Sequence, residues 1–259
     1  MKNFIKIHYL SSFYITTLIF SFLLLTLHFI FRSVGNYSVS FTQLSPAFAV
    51  VFIALISKDK TILSAIKNHL SFKGFNVKWI IPAILIPTIC IVVSSLVMSL
   101  FKIKFVSWTG SAFFYSSNVV AMLVGCFAEE IGWRGFLLPR LQEKHSLFVS
   151  SIIVGVLWGV WHLNFTGGIL GFVLYTITII EMSVLMAWLF SKTKGSLLPM
   201  IIWHFVYNLL SHVLLWERFN IHLFIVESIV FGVVALIIVM SNQKIFFNKT
   251  TSKVEYRNM

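Results

Sequence analysis

Three ionisable side chains lie within the apolar stretch VVAMLVGCFAEEIGWRGFLL, where a membrane segment ordinarily carries none: Glu129, Glu130 and Arg134. Each charged side chain near the middle of a bilayer costs roughly 2.5–3.5 kcal/mol on insertion scales. Apolar packing does not account for keeping three of them so close together. A carboxylate at this depth could act as a general base toward a bound water molecule.

The spacing predicts different roles for the two glutamates. Glu130 and Arg134 are four residues apart with the acid first, which is the favoured order for an ion pair on one helix face. Glu129 points roughly 100° away from Glu130 and has no such local cation. We therefore expect Glu130 to be tied to Arg134 and Glu129 to be available. The alternative is a buried charge network of all three that holds helices together.

Two further apolar stretches carry polar side chains that could complete a hydrolytic site. His162 ends LWGVWHL, and His204 and Asn208 are four residues apart in MIIWHFVYNLL, so they share a helix face. At 1.5 Å per residue these side chains and Glu129 lie at compatible depths, roughly 12–22 Å from one membrane surface. Glu129 and His162 could hold a water molecule while His204 and Asn208 stabilise an oxyanion. In the alternative interpretation, each of these histidines only forms hydrogen bonds to a neighbouring helix.

The composition indicates the kind of scaffold that positions these residues. The 259 residues are 58% hydrophobic and 11% charged, with a mean hydropathy of +0.93. Soluble domains carry about 25% charged residues, so the chain is predicted to be an integral membrane protein. The net charge of +12 does not indicate nucleic-acid binding, because the basic residues lie in short loops between apolar runs.

Hydropathy predicts an all-α polytopic bundle of about eight transmembrane helices. The runs are continuously apolar, which favours helices over alternating strands. The predicted spans are about 11–31, 41–57, 79–101, 118–141, 147–163, 168–190, 196–215 and 221–240. The first is expected to remain uncleaved, because its apolar region is too long for a signal peptide. Gly155 and Gly159, four residues apart, predict close helix packing in the fifth span.

The distribution of lysine and arginine predicts the orientation. With the N-terminus inside, 15 of the 20 basic residues fall in cytoplasmic segments and 4 in external ones, while Arg134 lies within a span. This asymmetry predicts that both termini and the 58–78 segment are cytoplasmic, in what we expect to be a bacterial cell membrane. The 58–78 segment is either an amphipathic surface helix or a basic solvated loop.

Three ordered motifs in these spans resemble a known family. EEIGWRG matches the EExxxR motif of the CAAX protease and bacteriocin-processing (CPBP, or Abi) intramembrane endopeptidases, and HFVYN matches their HxxxN/D motif. The middle motif is usually FxxxH and reads WGVWH here, with Trp158 in place of phenylalanine. The resemblance covers about residues 118–212, within an expected single membrane domain of residues 1–259.

The resemblance implies an eight-helix membrane protease fold and a role for each motif residue. Glu129 and His162 would activate the attacking water, and His204 and Asn208 would stabilise the oxyanion. Glu130, Arg134 and Trp158 would support the site.

The resemblance does not decide whether a metal is needed. Glu129, His162 and His204 could form a His₂Glu zinc site. The sequence has no HExxH motif, and asparagine is an unusual zinc ligand, so metal-free general-base catalysis is favoured.

The predicted function is hydrolysis of a peptide bond in a membrane-embedded or membrane-surface peptide or protein, with the lipid bilayer as the surroundings. A bacterial chain favours such a substrate over a prenylated one. The alternatives are a non-enzymatic immunity or binding protein and a proton-coupled transporter, although no inverted repeat supports transport. Glu181 and Glu227 lack motif partners, and Cys90 and Cys126 are expected to be small core or lipid-facing residues.

Overall fold

The structure, a computed structural model, describes residues 8–32, 41–71, 76–101, 116–214 and 220–248. Several basic residues used to predict the orientation lie outside the described residues: Lys2, Lys6, Lys73, Lys102, Lys104, Arg218, Lys249, Lys253 and Arg257. Within the described ranges the protein is built from helices and contains no strand. The predicted all-α fold class is confirmed.

The helices follow the predicted spans closely. In chain order they are α1 (Tyr9–Arg32), α2 (Ser45–Ser57), α3 (Lys60–His69), α4 (Ile80–Leu100), α5 (Ser116–Glu130), α6 (Leu138–Gln142), α7 (Leu147–Trp161), α8 (Gly168–Lys192), α9 (Leu198–Leu214), α10 (Ile221–Ser241) and α11 (Gln243–Phe247). Short 3₁₀ turns at Phe41–Leu44 and Val77–Trp79 lead into α2 and α4, and a π-helix at Ile131–Leu137 joins α5 to α6.

Four of the described helical segments are long and apolar enough to cross a membrane: Tyr9–Ile30, Val77–Leu100, Gly168–Lys192 and Ile221–Ser241. Three shorter apolar segments accompany them: Phe41–Ser57, Leu147–Trp161 and Leu198–Leu214. The remaining predicted span, 118–141, corresponds to the unbroken helical run from α5 through the π-helix to α6, and it contains the charged motif. The chain is a multi-pass helical membrane protein.

The 58–78 segment contains a helix, α3, which resolves the two readings of that segment. The side chain of Asp59, directly before α3, accepts a hydrogen bond from the Thr61 backbone N–H and caps the first turn. Ile62 and Ile66, four residues apart, are buried, while Lys67 is exposed. This one-sided burial is typical of an amphipathic helix packed along a protein surface.

The π-helix at Ile131–Leu137 is the irregular element next to the charged motif. Two glycines allow neighbouring helices to approach it. A Cβ on Gly132 would overlap Pro46 of α2, and one on Gly135 would lie 2.9 Å from Ile66 of α3. The π-helix therefore packs directly against both helices, and π-helical turns occur frequently at functional sites.

Helices α7 and α8 pack closely, as the glycine spacing predicts. A Cβ on Gly155 would lie 2.6 Å from the Ile180 Cα, and one on Gly159 would lie 2.9 Å from the Thr176 Cγ2. Only glycine permits this approach, which fixes the end of α7, where the middle motif lies, against α8.

Candidate active site

Two antiparallel helices face each other through matched pairs of polar side chains. On α5, Cys126 and Glu130 are four residues apart, and on α9, His204 and Asn208 have the same spacing. Glu130 contacts His204, with Oε1 and Nδ1 2.9 Å apart, and the Asn208 amide nitrogen lies 3.4 Å from the Cys126 sulfur. The outer motifs of the sequence are therefore brought into direct contact.

Glu130 is shared between two partners. Its Oε1 accepts from Arg134 Nη1 at 3.0 Å, so the predicted i,i+4 ion pair is present. The same oxygen contacts His204 Nδ1. All three side chains are buried, and Glu130 and Arg134 are 0% exposed. Glu130 thus connects the charged motif to the histidine of the last motif, a contact that the local spacing does not predict.

Trp158 of α7 lies at the centre of the cluster. Its indole N–H donates to Glu129 Oε2 at 2.8 Å, and the Arg134 guanidinium carbon lies 4.1 Å from the centre of its ring. The ring centres of His162 and His204 are 5.8 Å and 5.2 Å away. Trp158 is therefore in contact with all three motifs.

Glu129 is buried, with 1% of its surface exposed, but it is not without a partner. Of its two oxygens, Oε2 is occupied by the Trp158 indole. The expectation that Glu129 differs from Glu130 is met in this respect: Glu130 bonds charged or chargeable groups, and Glu129 bonds a neutral donor.

His162 is positioned by the end of a helix. The last four carbonyls of an α-helix lack intrahelical partners. The backbone N–H of His162 bonds Gly159 instead of Trp158, and the Trp158 carbonyl faces His162 Nδ1 at 2.8 Å. The imidazole, which is partly exposed, also packs edge-on against Tyr175 of α8, with ring centres 5.4 Å apart.

The hydrogen-bond partners indicate which ring nitrogens carry protons. A carbonyl only accepts, so His162 Nδ1 donates to it, and the Nε2 of a neutral His162 is an acceptor. His204 Nδ1 donates to the Glu130 carboxylate by the same reasoning, and its Nε2 becomes a donor when the ring is doubly protonated. Both neutral imidazoles thus present Nε2 as an acceptor, and His204 donates through Nε2 only when its ring carries both protons.

One further residue, Cys126, contacts a motif residue although no motif contains it. Cys126 was expected to be a small core or lipid-facing residue, and it is buried against the amide of Asn208. The signal that could have identified it is its position four residues before Glu130, on the same face of α5. Cys90, the other cysteine, is buried as expected.

Glu181 and Glu227 belong to a different part of the bundle. Glu227 on α10 is buried and lies 3.4 Å from the Tyr207 hydroxyl, which donates to it. Glu181 on α8 lies over Gly232, where a Cβ would be 2.8 Å from its Oε1. Neither carboxylate has a described hydrogen bond to Glu129, His162, His204 or Asn208, so we assign them no part in the cluster around Trp158.

Glu129, His162 and His204 are the residues that could bind zinc. Across the described ranges, no group of three or more His, Cys, Asp or Glu side chains is close enough to hold a metal ion. Glu129 Oε2 bonds an indole and His204 Nδ1 bonds Glu130, which leaves the other oxygen and the Nε2 atom without a described partner. The metal dependence of the site stays a prediction.

Comparisons with known proteins agree with the motifs. Residues 111–210 match the family model for the type II CAAX prenyl endopeptidase Rce1-like proteins. The chain is 27% identical to CAAX prenyl protease 2 of Methanococcus maripaludis, over 94% of this chain and 96% of that protein.

A second group of relatives is more distant. Lysostaphin resistance protein A from Staphylococcus aureus strains bovine RF122 and Newman is 26% identical over 54% of this chain and 32% of that protein. The family-model match, the near full-length similarity to a CAAX prenyl protease and the three ordered motifs agree: the chain is similar to the CAAX prenyl endopeptidases.

Proposed function

We propose that this protein hydrolyses a peptide bond in a membrane-associated peptide or protein, using water activated by Glu129 and His162. The observation that supports this proposal most directly is the cluster around Trp158, in which groups suited to proton acceptance and oxyanion stabilisation lie together. General acid–base groups and preorganised donors are the two requirements of peptide hydrolysis.

In the proposed reaction, water attacks the scissile carbonyl carbon while its proton passes to Glu129 or His162. Glu129 Oε1 and His162 Nε2 are the atoms available for this, because Oε2 and Nδ1 are already bonded to Trp158. The tetrahedral intermediate then collapses, the carbon–nitrogen bond breaks, and the proton is returned to the leaving amine.

His204 and Asn208 would stabilise the oxyanion of the intermediate. Both lie on one face of α9, and donors placed before the reaction need not reorganise when charge develops. Glu130 supports this role because its carboxylate accepts from His204 Nδ1 and fixes the orientation of the ring. Glu130, itself bonded to Arg134, would therefore aim His204 Nε2 at the oxyanion, to which it donates when the ring carries both protons.

Five variants test these roles: Glu129→Gln, His162→Ala, Asn208→Ala, and, as matched controls, Glu143→Gln and Asn68→Ala on exposed positions. Glu129→Gln keeps the shape of the side chain and removes the base, so turnover should fall about 10²-fold or more in a folded protein. His162→Ala should do the same, and Asn208→Ala should lose about 10²–10³-fold as one oxyanion donor. The controls should cleave at the parental rate.

The assay uses the full chain purified in detergent and two fluorogenic probes. One is a peptide with a prenylated cysteine followed by two aliphatic residues and a C-terminal residue, which is the CAAX sequence that gives the relatives their name. The other is a membrane-inserted peptide without a prenyl group. Cleavage of the second probe alone would support a general membrane-peptide substrate, and cleavage of the first alone would support a prenylated one. Parental cleavage by Glu129→Gln would contradict the proposed mechanism.

We further propose that the reaction needs no metal. If water is activated by Glu129 and His162 alone, strong chelators should leave the cleavage rate unchanged. The purified active protein should contain well under one equivalent of zinc, measured by mass spectrometry of the metal. Stoichiometric zinc that is lost and restored together with activity would overturn this proposal and make His162 and His204 ligands.

A further inference from the structure

The Trp158 indole is held rigidly between charged and aromatic neighbours. It is 1% exposed, and the Arg134 guanidinium lies over its ring at 4.1 Å. His204 meets it edge-on, with an interplanar angle of 75°. A guanidinium over an indole face is a favourable cation–π contact, especially away from water. The ring therefore has little freedom to rotate, and the direction of its N–H is fixed.

That N–H points at one oxygen of Glu129. Indole is a donor only and does not exchange its proton during acid–base chemistry. The 2.8 Å distance to Oε2 is typical of a hydrogen bond to a carboxylate, which is stronger than one between neutral groups. The contact thus fixes the rotation of the Glu129 carboxyl group and leaves Oε1 as the oxygen able to meet a water molecule.

The middle motif of the family usually has phenylalanine at this position. Phenylalanine could receive the Arg134 guanidinium and pack against His204, but it has no N–H. This chain therefore adds a hydrogen bond to Glu129 without losing the aromatic contacts.

We infer, on the basis of the proposed function, that Trp158 is a positioning residue that orients the general base. Its indole N–H holds Glu129 Oε2, so that Oε1 is presented to the attacking water. Its main-chain carbonyl holds His162 Nδ1, so one residue orients both water-activating groups. Only the first of these contacts depends on the identity of the side chain.

The test compares the same substitution at two buried tryptophans, Trp158 and Trp203. Trp158→Phe removes the N–H that bonds Glu129. Trp203→Phe is the matched control, because Trp203 is 0% exposed and its indole N–H has no hydrogen-bond partner among the described residues. For Trp158→Phe, kcat should fall about 10-fold to 100-fold with KM within about twofold, as expected for a lost bond to a charged group. For Trp203→Phe, kcat should stay within about threefold.

A second variant keeps the size of the ring. Benzothienylalanine at position 158, introduced by codon suppression, replaces the indole N–H with sulfur and preserves the bicyclic shape. It should reproduce the loss in kcat even if Trp158→Phe folds poorly. Rates are normalised to folded protein measured by size-exclusion chromatography. A parental kcat for the benzothienylalanine protein would overturn the inference.

A double-variant experiment separates positioning from general packing. Glu129→Asp shortens the side chain and withdraws the carboxylate from the indole. In that background Trp158→Phe should change single-turnover cleavage by less than about threefold, because the two changes remove the same contact. An undiminished effect would show that Trp158 acts through packing alone. Parental cleavage by Glu129→Gln would instead refute the proposed function, whatever the behaviour of Trp158.

Discussion

At the scale of single residues, Glu130 is a buried carboxylate that bonds two other buried side chains of the site. It is 0% exposed, and one of its oxygens serves both Arg134 and His204. Burying charges is costly unless each is paired and hydrogen-bonded. The carboxylate therefore compensates a buried guanidinium and also orients the imidazole that we propose as an oxyanion donor. Stability and turnover should both depend on it.

Glu130→Gln tests this double dependence. Removing one member of a buried ion pair typically costs about 3–5 kcal/mol, because the other charge loses its partner. The melting temperature in detergent should therefore fall, and so should turnover per folded molecule, because His204 loses its carboxylate. Glu143→Gln, on an exposed position, is the control and should leave both unchanged. A fall in stability with parental turnover would restrict Glu130 to a structural role.

Local spacing predicted part of this arrangement and could not predict the rest. Residues four apart on a helix meet, so the Glu130–Arg134 pair follows from the sequence alone. The contacts of Glu130 with His204 and of Cys126 with Asn208 depend on which helices pack together and in which register. Trp158 was predicted only as an aromatic support, since the aim of an indole N–H depends on three helices at once.

At the scale of elements, the π-helix at Ile131–Leu137 connects the site to its surroundings. It begins directly after Glu130 and contains Arg134. Gly132 and Gly135 let α2 and α3 lie against it, so the position of the motif depends on both neighbours. Hydropathy predicted one continuous span here, and its bounds agree with the helical run. The wider turn could not be predicted, because apolar periodicity does not distinguish a π-helix from an α-helix.

Gly132→Ala should disturb this packing. The new Cβ would overlap Pro46 and lie 3.0 Å from the Phe13 ring, and inserting atoms into a close-packed region typically costs about 1–3 kcal/mol. Gly125→Ala on α5 is the matched control, because the two atoms nearest to its Cβ are at the movable far end of the Gln43 side chain. The Gly132 variant should melt at a lower temperature than the Gly125 variant, measured by thermal unfolding in detergent. Equal melting temperatures would contradict the packing argument.

At the scale of the whole molecule, the segments predicted to be cytoplasmic meet at one end of the bundle. The Tyr9 hydroxyl donates to the Asp59 carboxylate at 3.4 Å, and the Arg140 guanidinium lies 4.9 Å from the centre of the Tyr9 ring. The Leu197 backbone N–H donates to the His69 carbonyl at 2.8 Å. These contacts place several ends of the predicted spans together at one end of the bundle. Such grouping is expected when the chain crosses the membrane an even number of times.

Two further contacts extend this grouping. Phe148, at the start of α7, packs against Phe247 of α11, with ring centres 5.2 Å apart, so the C-terminal helix lies at the same end. At the other end, the loop before α8 meets the start of α10, where a Cβ on Gly167 would lie 3.2 Å from Ile221. The contacts between helices show which segments lie at the same end of the bundle, and the basic residues predict which end is cytoplasmic.

The orientation can be tested with one reporter at each end. Ser64 on α3 and His222 on α10 are exposed, and the two native cysteines are buried. In intact cells, a membrane-impermeant maleimide should label His222→Cys and leave Ser64→Cys unlabelled until the membrane is permeabilised. This pattern of labelling is expected because Lys60 and Lys67 lie on either side of Ser64, and cytoplasmic loops of membrane proteins carry an excess of Lys and Arg. Labelling of Ser64→Cys from outside, with protection of His222→Cys, would show that the protein has the opposite orientation in the membrane. His162, next to the end opposite α3, would then open toward the cytoplasm, and the substrate would have to be sought there.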